Sequence, residues 1–316
     1  MERRLDMKRI VTFLGLAFGI AWLIALVIYL TGGLVGSPVL VPGTPITLAV
    51  VLLAGGYMSA PALAHVLTRL ATHEGWKGTY LRPRKRGWPY WIAAWLVPAV
   101  MTAVGAAVFF AVFPQYFDPS LGVLRSLLVK SGQTVSGPLW TIFAIQMVSG
   151  VLVAPLVNGL FTFGEEFGWR AYLLPKLMPL GGRKAMLLSG LIWGVWHWPA
   201  IAMGHNYGLG YPGGPWLGML LMVWITFCLG TFLGWLTLRA GSVWPAVIGH
   251  AAVNGIAAGA LAAVAGAPSP LLGPTPAGLV GSVGFGLLTL ALFLRPGALE
   301  TGDTERRCAA ESTASE

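Results

Sequence analysis

Two adjacent glutamates, Glu165 and Glu166, lie inside one of the most apolar stretches of this chain. The other nine of the eleven acidic residues fall in the termini or in polar connections between apolar segments. A carboxylate at membrane depth costs roughly 2.5 kcal/mol or more, so two side by side indicate a functional site. On a helix Glu166 and Arg170 are four residues apart and share a face, which predicts an ion pair. Glu165 is rotated by about 100° from Glu166, so we expect it to be free to act as an acid or a base.

Further polar groups follow in two later apolar segments. His197 lies in Trp193-Gly-Val-Trp-His197, and His250 and Asn254 are four residues apart on one helical face. A carboxylate and an imidazole together can deprotonate a water molecule. An imidazole and an amide can donate hydrogen bonds to the oxyanion of a tetrahedral intermediate. These groups could therefore form a peptidase that has no serine or cysteine nucleophile.

Other roles for the same residues stay open. Two histidines and a glutamate are a common zinc-binding set, although the His-Glu-x-x-His signature is absent. Each histidine could instead be a structural hydrogen-bonding group between helices, and the pair of Glu166 with Arg170 favours a structural role. We expect no catalytic role for the remaining histidines, which we place at membrane interfaces or in loops: His65, His73 and His205.

The composition indicates a polytopic, all-α membrane protein. Of the 316 residues, 56% are hydrophobic and 10% are charged, against about 25% charged in soluble domains. Apolar runs of about 20 residues, long enough to cross a bilayer, recur along the chain. They predict eight spans, near 10–31, 46–68, 88–111, 139–162, 184–203, 216–238, 243–264 and 274–294. We expect residues 1–294 to form a single membrane domain and residues 295–316 to be a disordered cytoplasmic tail.

The cations orient these spans. Only Arg125 and Lys130 fall on one side of an eight-span arrangement, whereas all the others fall on the opposite side. The positive-inside rule then places both termini in the cytoplasm. The net charge of +9 therefore reflects the membrane topology and gives no reason to infer nucleic-acid binding. The first span exceeds the core of a signal peptide and predicts an uncleaved anchor.

Three motifs in this sequence resemble those of a family of intramembrane endopeptidases. This family comprises the type II CAAX prenyl proteases and the bacteriocin-processing and self-immunity proteins, together called CPBP intramembrane metalloproteases. Its Glu-Glu-x-x-x-Arg motif matches Glu165 to Arg170, and its aromatic-x-x-x-His motif matches Trp193 to His197. Its final His-x-x-x-Asn motif matches His250 to Asn254. The resemblance covers roughly residues 139–265.

The resemblance implies about eight transmembrane helices around a cavity that faces the cytoplasm. It implies that Glu165 and His197 activate water, that His250 and Asn254 stabilise the oxyanion, and that Glu166, Arg170 and Trp193 support the site. The family usually has phenylalanine where this chain has Trp193, which is expected to reshape the pocket. The family name suggests a metal such as zinc, but the glutamate mechanism needs none, and we expect no cofactor.

The expected activity is hydrolysis of peptide or protein substrates at the cell membrane. Prenylated proteins, leader peptides and membrane-protein segments are all open as substrates, and the sequence does not indicate an oligomeric state. Two other functions stay open. One is a proton-coupled transporter, in which Glu165 and the histidines form a relay, although the absence of half-to-half symmetry counts against it. The other is a non-catalytic membrane protein of bacteriocin immunity.

Overall fold

The computed structural model of this protein describes residues 5–84, 87–133 and 136–300. These residues are mainly helical, and their only β contacts are two isolated bridges, Val39 with Thr47 and Phe117 with Val264. The α-helices are α1 (Met7–Leu30), α2 (Leu48–Val51), α3 (Ala60–Ala71), α4 (Trp88–Val112), α5 (Gly122–Lys130), α6 (Leu139–Leu152), α7 (Ala154–Gly168), α8 (Leu174–Leu177), α9 (Gly182–Trp196), α10 (Trp198–Ala202), α11 (Trp216–Ala240), α12 (Trp244–Ile256) and α13 (Val283–Leu294). Two π-helices, Leu52–Tyr57 and Trp169–Leu173, link α2 to α3 and α7 to α8.

The expected all-α membrane architecture is confirmed, but the count of eight spans is not. Five helical segments of the described chain are long and apolar enough to cross a bilayer: Met7–Leu30, Leu48–Ala71, Trp88–Val112, Trp216–Ala240 and Trp244–Ala263. A sixth is present if α6 and the bent segment after it count as one span. The expected spans near 184–203 and 274–294 contain shorter helices, because α9 ends after 15 residues and α13 has 12.

The expected fourth span is broken by a bend of 45° between α6 and the helical segment that follows. Pro155 lies in the first turn of α7 and has no backbone N–H to donate to the carbonyl of Val151, four residues earlier. The indole Nε1 of Trp95 donates to that carbonyl at 2.6 Å instead. A side chain from α4 therefore satisfies the acceptor that the proline leaves open.

The helix that carries the glutamates is longer than the sequence predicted. It continues past the expected end at residue 162, through α7, the π-helix and α8, to Leu180. Gly181 then reverses the chain with φ of +87°, a conformation that favours glycine, and α9 begins. Arg170, which falls between the fourth and fifth predicted spans, therefore lies within this long helix with 1% exposure.

Glycines allow α9 and α11 to pack closely. A Cβ atom at Gly190 would lie 2.5 Å from the Cα of Phe227, and one at Gly194 would lie 2.6 Å from the Cα of Val223. Small residues at such contacts let membrane helices approach until their backbones touch. This contact fixes the position of the end of α9, where Trp193 and His197 lie.

Several sequence-based expectations fall outside the described residues. These are the cations at positions 3, 4, 85, 86, 306 and 307 and the disordered tail from residue 301 onward. The short segment at residues 295–300, which we assigned to the tail, is described. Within it, Ala298 and Leu299 are buried, and the carbonyl of Ala298 accepts a hydrogen bond from Arg239 at 3.1 Å.

Candidate active site

The four residues that we expected to be catalytic line one cavity of about 370 Å³. Glu165 comes from α7, His197 follows the end of α9, and His250 and Asn254 come from α12. The long helix explains how Glu165 and His197 meet. Glu165 precedes Leu180 by about fifteen residues, and His197 follows Gly182 by about the same number, so both lie about 22 Å along their helices from the turn. Glu165 and His197 therefore lie at similar distances from this turn.

Glu165 is held by a tryptophan from the neighbouring helix. Its Oε2 atom accepts a 2.7 Å hydrogen bond from the indole Nε1 of Trp193, and its side chain is only 3% exposed. Within the described chain no group donates to the other carboxylate oxygen, Oε1. Because Glu165 lines the cavity, that oxygen is available to a water molecule or a substrate there.

His197 is oriented through the backbone of the same tryptophan. Its Nδ1 lies 2.8 Å from the carbonyl oxygen of Trp193, so this nitrogen carries the proton and donates. In the neutral imidazole the Nε2 atom is then an acceptor. The rings of Trp193 and Trp196 pack edge-on against His197, with centroid distances of 5.5 and 4.8 Å. The side chain of His197 is partly buried and has one fixed orientation in the cavity wall.

Glu166 faces away from Glu165, as the helical geometry predicted. Its Oε1 atom accepts from Arg170 Nη1 at 3.2 Å, and its Oε2 atom lies 3.2 Å from Arg170 Nε. Glu166 and Arg170 are 0% and 1% exposed. Burying two charges is costly unless they compensate each other. Loss of either residue would therefore leave an uncompensated charge in the protein interior.

The structure adds a partner for Glu166 that the sequence did not indicate. The Nδ1 atom of His250 lies 2.8 Å from Glu166 Oε1, which assigns the Nδ1 proton to this hydrogen bond. The Nε2 atom of His250 then carries a proton only when the ring is an imidazolium. Glu166 therefore orients the His250 ring. Asn254, one turn further along α12, is exposed and lines the same cavity.

Trp193 is the central side chain of the site. The guanidinium carbon of Arg170 lies 3.9 Å from the centroid of its ring, and the His250 ring packs against it at 5.4 Å. Gly230 on α11 leaves room for this stack, because a Cβ there would lie 3.0 Å from Arg170 Nη2 and 3.6 Å from the Trp193 ring. Trp193 thus contacts Arg170 and His250, which are the two partners of Glu166, as well as Glu165 itself.

The cavity is also lined by Tyr57, His205 and Asn206, which had not been singled out as site residues. Tyr57 lies in the first π-helix, stacks on Trp196 at 4.3 Å between centroids, and donates through its hydroxyl to the carbonyl of Trp196. His205 and Asn206 line the cavity from the loop before α11. The sequence placed His205 in a loop correctly, but no local pattern showed that this loop reaches the cavity. π-helical turns are often found at functional sites, yet their irregular register is not visible in hydropathy.

The structure places His65, which was expected at a membrane interface, in the interior of the protein. The residue is fully buried, and its Nδ1 donates to the carbonyl of Phe167 at 2.8 Å, directly after the glutamate pair. Its Nε2 accepts from Arg69 Nε at 2.7 Å. Arg69 is one helical turn from His65, a spacing that could have indicated the pair. The contact with Phe167, far away in sequence, could not have been found in this way.

Glu74, which follows α3, contacts residues of α1, α3, the second π-helix and α8. It accepts hydrogen bonds from the Tyr172 hydroxyl and from Lys176 Nζ, each at 2.9 Å, and Arg9 Nε and Arg69 Nη1 lie 3.4 and 3.7 Å from its carboxylate. Burial by itself raises the pKa of Glu74. The hydrogen bonds from Lys176 and Tyr172 and the positive charges of Lys176 and Arg69 outweigh burial and lower the pKa below its ordinary value.

Protein partners take up part of the hydrogen-bonding capacity of the site. In the described chain no three His, Cys, Asp or Glu side chains are grouped so that they could hold a metal ion. Glu166 is occupied by Arg170 and His250, and Glu165 Oε2 by Trp193. Both His197 and His250 use Nδ1 for protein hydrogen bonds. The arrangement is suited to holding a water molecule between hydrogen-bonding groups.

Residues 137–256 match the protein family described as Rce1-like, type II CAAX prenyl endopeptidase. The match begins just before α6 and ends with α12, so it contains all three motifs and both glutamates. It supports the resemblance to the CPBP and CAAX protease family that the motifs indicated. A search of curated proteins found no match to this chain.

Proposed function

Because residues 137–256 match the Rce1-like family of CAAX endopeptidases, we propose that this membrane protein hydrolyses peptide bonds with water activated by Glu165. The family match indicates an intramembrane protease of the CAAX type. The observation that supports the proposed chemistry best is the cavity itself, because Glu165, His197, His250 and Asn254 all line it.

Glu165 and His197 are the proposed water-activating pair. Trp193 holds both of them, since its indole donates to Glu165 and its carbonyl accepts from His197. This leaves Glu165 Oε1 and His197 Nε2, both acceptors, to share one water molecule. Glu165 takes a proton from that water as its oxygen attacks the carbonyl carbon of the substrate. The same proton then moves to the amine nitrogen as the C–N bond breaks.

His250 and Asn254 are the proposed oxyanion donors. The amide of Asn254 donates without any change of charge, whereas His250 donates through Nε2 only as an imidazolium. Glu166, which accepts from His250 Nδ1, stabilises that charged form. Donors aimed in advance at the developing negative charge lower the barrier because they need no reorganisation in the transition state. In this scheme Glu166 and Arg170 position His250 and do not contact the substrate.

The proposed mechanism needs no metal ion. Its substrates are peptide or protein segments at the membrane, and the excess of cations at one set of helix ends supports a multi-pass protein with cytoplasmic termini. A proton-coupled transporter would use the same carboxylate, but it would release no new peptide termini.

The test is incubation of the purified protein in detergent with membrane-anchored reporter peptides, followed by mass spectrometry of the products. Wild-type protein is expected to release two fragments whose new termini share one cleavage site, and activity is expected to survive treatment with chelators. The absence of cleavage across a broad peptide library, together with Glu165-dependent substrate uptake into proteoliposomes, would contradict the proposal.

A further inference from the structure

The end of α7 that carries the glutamate pair packs closely against the start of α3. Two glycines, Gly164 and Gly168, lie on either side of the pair along the helix. A Cβ atom at Gly164 would lie 2.5 Å from the carbonyl oxygen of Met58, and one at Gly168 would lie 2.5 Å from the carbonyl carbon of Pro61. The backbones therefore touch both before and after the glutamate pair.

His65 on α3 adds a hydrogen bond to the same stretch of α7. Its Nδ1 donates to the carbonyl of Phe167 at 2.8 Å, and its ring packs on the phenyl ring of Phe167 with 4.3 Å between centroids. Its Nε2 accepts from Arg69 Nε at 2.7 Å, so this nitrogen carries no proton and the ring is neutral. Arg69 is itself held, because its Nη1 donates to the carbonyl of Gly75. The imidazole is thus fixed in the tautomer that donates to the backbone of α7.

This hydrogen bond lies where the helix changes from α to π geometry, since the π-helix Trp169–Leu173 follows α7 directly. Each residue of an α-helix turns the chain by about 100°. If the π turn formed before the glutamate pair instead of after it, both carboxylates would rotate by about that angle relative to the helix that follows. They would then lose their hydrogen bonds with Trp193 and His250, which are 2.7 and 2.8 Å long. The site therefore requires the π turn to begin after Phe167.

We propose that His65 is a positioning residue of the active site, which keeps the π turn behind the glutamate pair by donating to the carbonyl of Phe167. The inference rests on the proposed peptidase function, in which Glu165 must face the cavity. His65 is not among the described residues that line this cavity, so it acts through the backbone of α7 and not on the substrate. It also lies outside residues 137–256, which match the family. The amino-terminal part of the chain therefore helps to arrange the glutamates.

The test compares two substitutions that each keep one of the two hydrogen bonds of the imidazole. In His65→Asn the amide nitrogen occupies about the position of Nδ1, so it can still donate to Phe167. In His65→Gln the amide reaches to about the position of Nε2, where it meets Arg69. Thr68→Val is the matched control, because Thr68 is fully buried on the same helix and its hydroxyl has no hydrogen-bond partner in the described residues. His65→Leu, which has no donor, replaces His65→Gln if the latter does not fold.

We expect kcat for a reporter peptide to fall at least about tenfold in His65→Gln, because the water-activating carboxylate is misplaced. It should stay within about threefold of wild type in His65→Asn and Thr68→Val, and KM should be unchanged in all three variants. Each His65 variant loses one hydrogen bond, so a merely structural role would lower Tm and kcat to the same extent in both. Equal kcat values for His65→Asn and His65→Gln would overturn the inference.

A second measurement does not depend on peptidase activity. The tryptophans are replaced by 5-fluorotryptophan, and the fluorine NMR signal that is missing from Trp193→Phe reports on the indole that donates to Glu165. This signal should shift in His65→Gln and keep its wild-type position in His65→Asn. An unshifted signal in His65→Gln would overturn the inference. If wild-type protein cleaves no peptide, the proposed function fails, and the fluorine signal still decides whether His65 positions the glutamate pair.

Discussion

The indole Nε1 of Trp193 donates a 2.7 Å hydrogen bond to Oε2 of Glu165, across 28 residues of sequence. Members of the family usually have phenylalanine at this position, and a phenyl ring has no donor. In this chain the aromatic residue therefore fixes the carboxylate as well as filling space. Its carbonyl, which accepts from His197, ties the second proposed water-activating group to the same residue.

Replacing Trp193 by phenylalanine is expected to lower peptidase activity by about ten- to a hundredfold. The substitution removes a hydrogen bond to an ionisable group, which contributes about 1.5–3 kcal/mol, and keeps an aromatic ring. The measurement is kcat of the purified variant with a reporter peptide, together with its thermal unfolding.

Trp169→Phe is the matched control for this substitution. Trp169 is equally buried, but its Nε1 has no hydrogen-bond partner in the described residues. The control should keep activity within a few-fold of wild type. Equal losses in the two variants would mean that ring volume, and not the hydrogen bond, is what the site needs.

Glu166→Ala and Arg170→Ala are each expected to lower the free energy of unfolding by about 3–5 kcal/mol, because each leaves an uncompensated buried charge. The double variant should lose less than the sum of the two single losses, since no charge is stranded. Chemical denaturation in detergent gives all three values. Strict additivity would show that the two groups do not act as a pair.

Gly190→Ala is expected to destabilise the protein by about 1–3 kcal/mol through overpacking. The new methyl group would lie 2.5 Å from the Cα of Phe227, so α9 and α11 must move apart. Gly15→Ala on α1 is the control, because nothing lies within 4 Å of the added atom. Differential scanning of both variants should show a lowered Tm for Gly190→Ala only. A Tm equal to that of wild type would mean that the close approach of α9 and α11 is absent in solution.

The network around Glu74 predicts loss of stability in acid. The pKa of this carboxyl is lowered in the folded protein from an ordinary value near 4.5. Its contribution to stability is therefore present above about pH 4.5 and is lost as the pH falls through the folded pKa. Thermal unfolding between pH 3 and pH 7 should show a weaker acid dependence for Glu74→Gln than for wild type. If Tm changed with pH in the same way for both proteins, Glu74 would not be the source of the acid dependence.

Local sequence spacing predicted part of the site. The pairing of Glu166 with Arg170 and the different orientation of Glu165 follow from helical geometry alone. Four of the expected residues line one cavity because their motifs lie on helices that pack together. The contacts of His250 with Glu166 and of Trp193 with Glu165 depend on how those helices are rotated, which hydropathy does not encode.

The sequence was less informative where helices break or continue irregularly. Arg170 falls after the predicted end of the fourth span at residue 162, whereas the π-helix at Trp169–Leu173 carries it inside the protein. The burial of His65 was not predicted because its contact with Phe167 forms only in the folded chain, although the four-residue spacing to Arg69 was visible in the sequence. The count of eight spans is not confirmed because two of the predicted spans contain only the short helices α9 and α13, of 15 and 12 residues.

The central claim is that Glu165 activates the attacking water, and Glu165→Gln tests it most directly. Glutamine keeps the size of the side chain and can still accept from Trp193, but it cannot take a proton. The measurement is kcat of the purified variant beside wild type, with thermal unfolding to show that both are folded. We predict a fall in kcat on the order of 10² or more at an unchanged Tm. A folded Glu165→Gln protein that cleaves the reporter within a few-fold of the wild-type rate would contradict the mechanism.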